Sequence, residues 1–159
     1  MFWTKKQKKT IELYAPVTGT TVALNQVPDQ VFAQKMMGDG IAFEPESQFI
    51  CAPCDGTIAM LANTLHAVGI TAANGAEILI HIGLDTVNLN GEGFKALVSA
   101  GDKVSKGTAL IEIDMTFMKA HDMTLTTPMV ITNSSEYKMV VSASGNHVIM
   151  GEDKVISFD

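Results

Sequence analysis

Asn74-Gly75 stands between two apolar runs, Ala67-Val-Gly-Ile-Thr-Ala-Ala73 before it and Ala76-Glu-Ile-Leu-Ile-His-Ile82 after it. An Asn-Gly pair in that setting is the strongest short-range signal for a β-hairpin, because a type I′ turn needs positive φ at both central positions. A two-residue loop makes Ala73 face Ala76. Counting outward, Thr71 faces Ile78, Val68 faces His81, His66 faces Gly83 and Thr64 faces Asp85. Side chains alternate between the faces of a strand. His66, His81 and Gly83 then share a face with Thr64, Val68, Leu79 and Asp85, while Ile78, Ile80 and Ile82 point into the core. The two histidines become diagonal neighbours with backbones roughly 7–8 Å apart, a gap that two imidazoles span. A three-residue loop would instead shift the pairing by one and send them to opposite faces.

The rest of the chain reads the same way. From Ile11 onward, short apolar runs are broken by Gly, Pro, Asp and Asn, which predicts ten or more short strands. Brief helical pieces are expected near Pro28–Met36, Gly93–Leu97 and Met115–Asp122. Two internal echoes stand out. Tyr14-Ala-Pro-Val-Thr-Gly-Thr20 resembles Cys51-Ala-Pro-Cys-Asp-Gly-Thr57, and Ala100-Gly-Asp-Lys-Val-Ser-Lys-Gly107 resembles Ser144-Gly-Asn-His-Val-Ile-Met-Gly151. Repeated turn units predict an all-β fold, a sandwich or barrel with approximate internal symmetry and a few short helical pieces. The expected organisation is a basic, flexible tail over residues 1–10 and one domain over 11–159, with the densest motifs in about 28–132.

The chain has no Arg, and four of its 11 Lys fall at positions 5, 6, 8 and 9. Beyond them, seven Lys meet 17 acidic residues, a net charge of −10. An acidic body without Arg disfavours nucleic acid and suits a basic protein partner. Two Cys, Cys51 and Cys54, do not make a disulfide framework. The leader lacks the apolar segment of a signal peptide, and no long apolar run follows, so a cytoplasmic location is expected. Phe2, Trp3 and the four leading Lys are suited to peripheral contact with anionic lipid.

The shared histidine face suits phosphoryl chemistry. A neutral imidazole is a good nucleophile near pH 7, and the N–P bond it forms is labile. A second imidazole beside it can hydrogen-bond the phosphoryl oxygens. Gly83 opposite His66 would leave room for a phosphate, and Thr64 would orient His66 through its hydroxyl. Leu79 and Val68 would form an apolar collar that excludes water. His121 and His147 lack such company and read as ordinary polar residues.

These residues resemble the glucose-type enzyme IIA domain of the bacterial phosphoenolpyruvate-dependent sugar phosphotransferase system. The matching stretches run collinearly over roughly residues 12–158. They include Ala15-Pro-Val-Thr-Gly19, Val27-Pro-Asp-Gln-Val-Phe-Ala33, Gly38-Asp-Gly-Ile-Ala42, Ala52-Pro-Cys-Asp-Gly56, His66-Ala, Glu77-Ile-Leu-Ile-His-Ile-Gly-Leu-Asp-Thr-Val87, Gly91-Glu-Gly-Phe94 and Thr127-Pro-Met-Val-Ile-Thr-Asn133. The resemblance implies a compact antiparallel β-sandwich or barrel of the duplicated hybrid motif that takes phosphate from the histidine of HPr and hands it to a cysteine on the IIB domain of a sugar permease. It implies that His81 is the phosphorylated residue, on Nε2, that His66 assists, and that Thr64 is the hydroxyl partner of His66. Asp39 and Asp85 match partner-facing acids, joined by Val68, Leu79, Ile41 and Val87 in the expected docking surface. No cofactor is required. Members often carry Phe after His-Ala, where this chain has Val68, and at the position of Ala62.

Other readings compete. His66 and His81 would share a zinc only with a partner that supplies a third ligand. Related zinc peptidases use a His-x-His pair, which His81-Ile-Gly83 lacks. Cys51-Ala-Pro-Cys54 aligns with Tyr14 and Val17 in the echo, which favours ordinary strand positions over a redox site. The Ala100–Gly107 turn lacks the Met-Lys-Met of lipoyl and biotinyl carriers. A regulatory module, binding permeases or kinases according to its phosphorylation, would use the same face.

Overall fold

The computed structural model describes residues 10–158. The basic leader over residues 1–9, and the lipid contact expected of it, lie outside the described residues. Short extended segments alternate with Gly- and Asp-rich turns: β1 (Ile11–Tyr14), β2 (Gly19–Ala23), α1 (Gln30–Ala33), β3 (Asp39–Pro45), β4 (Phe49–Cys51), β5 (Gly56–Leu61), β6 (Ala67–Ala72), β7 (Glu77–His81), β8 (Phe94–Ala96), β9 (Lys103–Val104), β10 (Ala109–Ile113), α2 (Met115–Ala120), β11 (Thr127–Ile131), β12 (Met139–Val141), β13 (His147–Val148) and β14 (Lys154–Phe158). Every strand pair is antiparallel. The strands form one eight-stranded sheet, ordered β13-β2-β3-β11-β7-β6-β5-β9, and two three-stranded sheets, β1-β14-β12 and β4-β10-β8. The all-β sandwich expectation holds. The sheets stay open rather than closing into a barrel.

The sequence echoes become a pseudo-two-fold. Tyr14 donates its backbone N–H to Pro53 and Cys51 donates to Pro16. Gly107 donates to Ala52 and Gly151 to Ala15, and Ile58 donates to Asp102 while Thr21 donates to Asn146. β9 meets β5 through Gly56 and Val104, and β13 meets β2 through Gly19 and Val148. The large sheet is palindromic about β11 and β7, where Met129 faces Ile80. Each end of that sheet is a two-residue strand, too short to template further pairing.

Alternation divides the large sheet into two environments. Ile41, Phe43, Val68, Ile70, Ile78, Ile80, Met129 and Ile131 face the small sheets and form the main core with Leu13, Ile50, Ile111 and Phe158. Ala42, Leu79 and Val130 face the other way, where Leu24, Val27, Phe32 and Leu84 cover them. Ile78, Ile80 and Ile82 are buried as the sequence indicates. Val68 and Ile41 are corrections: they are 0% and 1% exposed in the main core, so they present nothing to a partner.

The hairpin register is a second correction. Val68 faces Ile80 and Ala67 faces His81, one residue off the two-residue-loop pairing. Ala72 and Ala76 close the loop around Ala73-Asn74-Gly75, with Gly75 N–H bound to Ala72 and Ala72 N–H bound to Ala76. Gly75 has φ 90°, while Asn74 is not among the positive-φ residues. The Asn74 side chain instead accepts from Ala76 N–H at 3.0 Å. The turn is thus a three-residue loop ending on a left-handed glycine, the next commonest hairpin connection. The helical reading of Gly93–Leu97 also fails. Gly93 has φ 85°, a helix-ending conformation, and Phe94 pairs with Ile113 as a strand that buries its ring. α1 and α2 fall inside the other two expected helical pieces.

Candidate functional site

The site lies on the face of the large sheet turned away from the main core. β7 ends at His81, which alternation places beside Leu79 on that outer face. After His81 the chain turns at Gly83, with φ 79°. A Cβ on Gly83 would lie 2.5 Å from the Thr86 methyl and 2.9 Å from the Thr124 carbonyl oxygen. Conformation and close packing require this glycine, not the open space expected for a phosphate. Its carbonyl turns back and accepts from His81 Nδ1 at 2.7 Å. A neutral His81 thereby carries its proton on Nδ1 and keeps the Nε2 lone pair.

His66 precedes β6. Its Nδ1 hydrogen-bonds the Thr64 hydroxyl, as the sequence reading required. Its ring meets that of His81 edge to face, with centroids 5.0 Å apart and planes at 79°. The two rings come together although strand alternation from Ala67 would send residue 66 into the core. β6 begins only at Ala67, and Leu65 before it has φ 58°.

Two members of the site were not singled out from sequence. Phe32 lies 5.0 Å from the His81 ring at 57°, supplying the aromatic wall that Val68 does not. Asp29 caps α1 by accepting from Val31 N–H at 2.9 Å, and its charge acts on His81. A Pro-Asp pair before an apolar triplet is a helix-start signal, so the cap was legible, but its nearness to His81 was not.

Burial pushes the His81 imidazole below its ordinary pKa, while the Gly83 carbonyl, Asp29 and Asp85 pull it partly back. Burial also lowers His66, and the charge that His81 would carry lowers it further. Both shifts favour the neutral imidazole near pH 7.

Asp85 is exposed, at φ 60° before a 3-10 turn over Thr86–Leu89, and Val87 beyond it is also exposed. Asp39 opens β3, bound to Gly40 N–H at 2.8 Å and to the Lys35 ammonium at 3.4 Å. Leu79 is partly buried against the cluster beneath Phe32. Val31, Met36 and Met37, on α1 and its exit, are exposed apolar side chains.

No group of three or more His, Cys, Asp or Glu able to hold a metal occurs among the described residues. The two imidazoles supply half of a tetrahedral zinc site. Burial pushes the Cys51 and Cys54 thiols up to about 11 and about 12, so neither is a nucleophile at neutral pH. His121 stacks on Phe117 at 4.0 Å, and His147 binds Glu46 at 2.9 Å. No described helix is long and apolar enough to cross a membrane.

Comparison with known proteins agrees with this geometry. Residues 11–137 match the model of the phosphoenolpyruvate-dependent sugar phosphotransferase system, EIIA 1. The structure is similar to that of glucose permease IIA from Mycoplasma capricolum, at TM-score 0.86 and 35% identity, over 93% of this chain and 96% of that one. With the family match over most of its length and a homologous structure over nearly all of it, the chain belongs to the EIIA 1 family of the phosphoenolpyruvate-dependent sugar phosphotransferase system.

Proposed function

We propose that this phosphotransferase-system carrier takes a phosphoryl group from phospho-HPr onto Nε2 of His81 and delivers it to a cysteine of a permease IIB domain. The observation that carries this reading is the His81 Nδ1 bond to the Gly83 carbonyl, which leaves Nε2 free beside a second imidazole. In the first step the His81 Nε2 lone pair forms a bond to phosphorus as the donor's N–P bond breaks, and the donor imidazole keeps the electron pair. In the second, a thiolate of the acceptor forms the S–P bond and His81 leaves as neutral imidazole. No cofactor is required.

His66 assists. With Thr64 donating its O–H to Nδ1, the His66 proton sits on Nε2 and can be offered to a phosphoryl oxygen. Leu79 and Phe32 keep water from the labile bond. Asp29, Asp85 and the exposed Val31, Met36 and Val87 suit a basic partner with an apolar centre.

A second reading uses the same face as a phosphorylation-dependent docking surface, with zinc joined by His66, His81 and a partner's ligand. The paired ring nitrogens favour it, and a direct metal assay of the complex tests it. The carrier role is tested by radiolabel from phospho-HPr. His81→Ala should take none and remain folded, whereas acid-labile label on that variant would overturn the assignment.

A further inference from the structure

We infer that Leu65 is the positioning residue of the two-histidine pair, turning the His66 ring out of strand alternation and onto His81. The consequence for transfer rests on the carrier reading above, but the geometry does not.

Ala67 stands opposite His81, and directly opposed residues share a face. If the extended backbone of β6 ran one residue further back, His66 would point with Val68 and Ile80 into the main core. It points the other way, with its ring against His81. The backbone of His66 nonetheless remains in the ladder, because its carbonyl accepts from Ile82 N–H at 2.6 Å. His66 is therefore the residue at which regular alternation ends, where the preceding turn delivers the chain to β6. The chain folds back there: Leu65 N–H binds the Ala62 carbonyl, and Ala62 N–H binds that of Ala67. Leu65 is the one residue of this turn with positive φ, at 58°.

A left-handed leucine is unusual. Among the described residues the other non-glycine residues with positive φ are Lys35, Asp85, Asn90 and Asp122, and three of these four are Asp or Asn, the types that tolerate that region. Such a conformation persists where its surroundings over-determine it. Here the Leu65 side chain is half-buried and packs on the main core. Its packing anchors the turn, its handedness re-aims the next residue, and Thr64, on its other side, completes the arrangement by holding His66 Nδ1. Leu65 thus acts through His66 and touches no phosphate.

Three variants separate handedness from packing. Leu65→Asn tolerates the left-handed region, Leu65→Ala does so less well, and the β-branched Leu65→Val is an outlier there. The readouts are the nuclear Overhauser contact between the two imidazoles and the titration of His66, with core methyl spectra as the check on folding. Neither readout depends on phosphoryl transfer. Leu65→Val should lose the inter-ring contact and shift His66 toward its ordinary titration, whereas Leu65→Asn should keep the contact. Onward transfer should fall about tenfold in Leu65→Val, with labelling of His81 changed much less. If Leu65→Val does not fold, Leu65→Asn should hold the contact better than Leu65→Ala. Intact ring contact and unchanged His66 titration in folded Leu65→Val, or Ala equal to Asn, would overturn the inference. Ring geometry that responds as expected without any label transfer in the wild type would refute the carrier reading alone.

Discussion

His66 and His81 each have Nδ1 occupied by a neighbour two residues away, Thr64 on one side and the Gly83 carbonyl on the other. Both Nε2 atoms are left outside these bonds. This arrangement fixes the roles unequally. The carbonyl can only accept, so His81 must donate from Nδ1, and the Nε2 lone pair is the one left for the proposed attack. The hydroxyl can donate, which lets His66 present a proton.

His66→Gln should still accept phosphate but pass it on poorly. The amide cannot reproduce the imidazole donor held by Thr64, and losing one preorganised donor costs about 3 kcal/mol, or roughly a hundredfold in rate. Rapid-quench measurement of each half-reaction checks this. Equal losses in both directions would mean that His66 serves binding rather than the outgoing transition state.

The pH dependence of stability follows from the two depressed histidines. Burial lowers both below 6.5, with the His81 charge adding to the effect at His66, and Asp29, Asp85 and the Gly83 carbonyl opposing it at His81. In the window between the folded values and 6.5 the unfolded chain binds more protons, so stability is complete above that window and is lost as pH falls through it. Urea midpoints taken from about pH 7.5 to about pH 5 should decline for the wild type. A variant with both His66 and His81 replaced by Gln should decline less steeply.

Much of this was legible in the sequence. Apolar runs punctuated by Gly and Asp fixed the strand character, because period-two burial on a sheet leaves a direct trace in residue order. The echoes at Tyr14 and Cys51 anticipated the paired hydrogen bonds of the pseudo-two-fold. What failed was register. Asn74-Gly75 supports more than one hairpin loop, and the choice was made by the Asn74 side chain bonding Ala76 N–H, a contact that no pattern encodes. The histidine rings do meet, but not through the expected register; on the inference drawn above, the left-handed Leu65 brings them together. Val68 was assigned to the histidine face by the same wrong register, and Ile41 to the surface because resemblance carries residue types, not the face on which each one lies. Phe32 and Asp29 reach His81 from the far side of a loop, which sequence separation conceals.

Asp29→Asn with Asp85→Asn should slow association with HPr and flatten its salt dependence, leaving single-turnover transfer within the complex nearly unchanged. Asn suits both positions. It caps a helix as well as Asp does, and it tolerates the φ of 60° at Asp85. Charge is therefore removed with the backbone kept. Asp39→Asn should do less, since the Lys35 ammonium already offsets that carboxylate. Stopped-flow association across a salt series measures these effects. A collapse of the chemical step with association intact would put the carboxylates on the phosphate itself.

Gly83→Ala should damage stability and nucleophile together. A φ of 79° strains any L side chain, and the added methyl would sit 2.5 Å from the Thr86 methyl and 2.9 Å from the Thr124 carbonyl oxygen. Left-handed strain of this kind costs about 1–3 kcal/mol, and the backbone oxygen cannot swing aside as a flexible side chain would. Relief requires Gly83 to rotate, and rotation carries its carbonyl away from His81 Nδ1. The ring then loses the bond that fixes its tautomer, so part of the population should carry the proton on Nε2 and be unable to attack. Urea unfolding reports the first effect, and imidazole nitrogen shifts report the second. A folded Gly83→Ala protein that keeps the single Nδ1–H tautomer and full labelling would show that something other than this carbonyl sets the His81 proton.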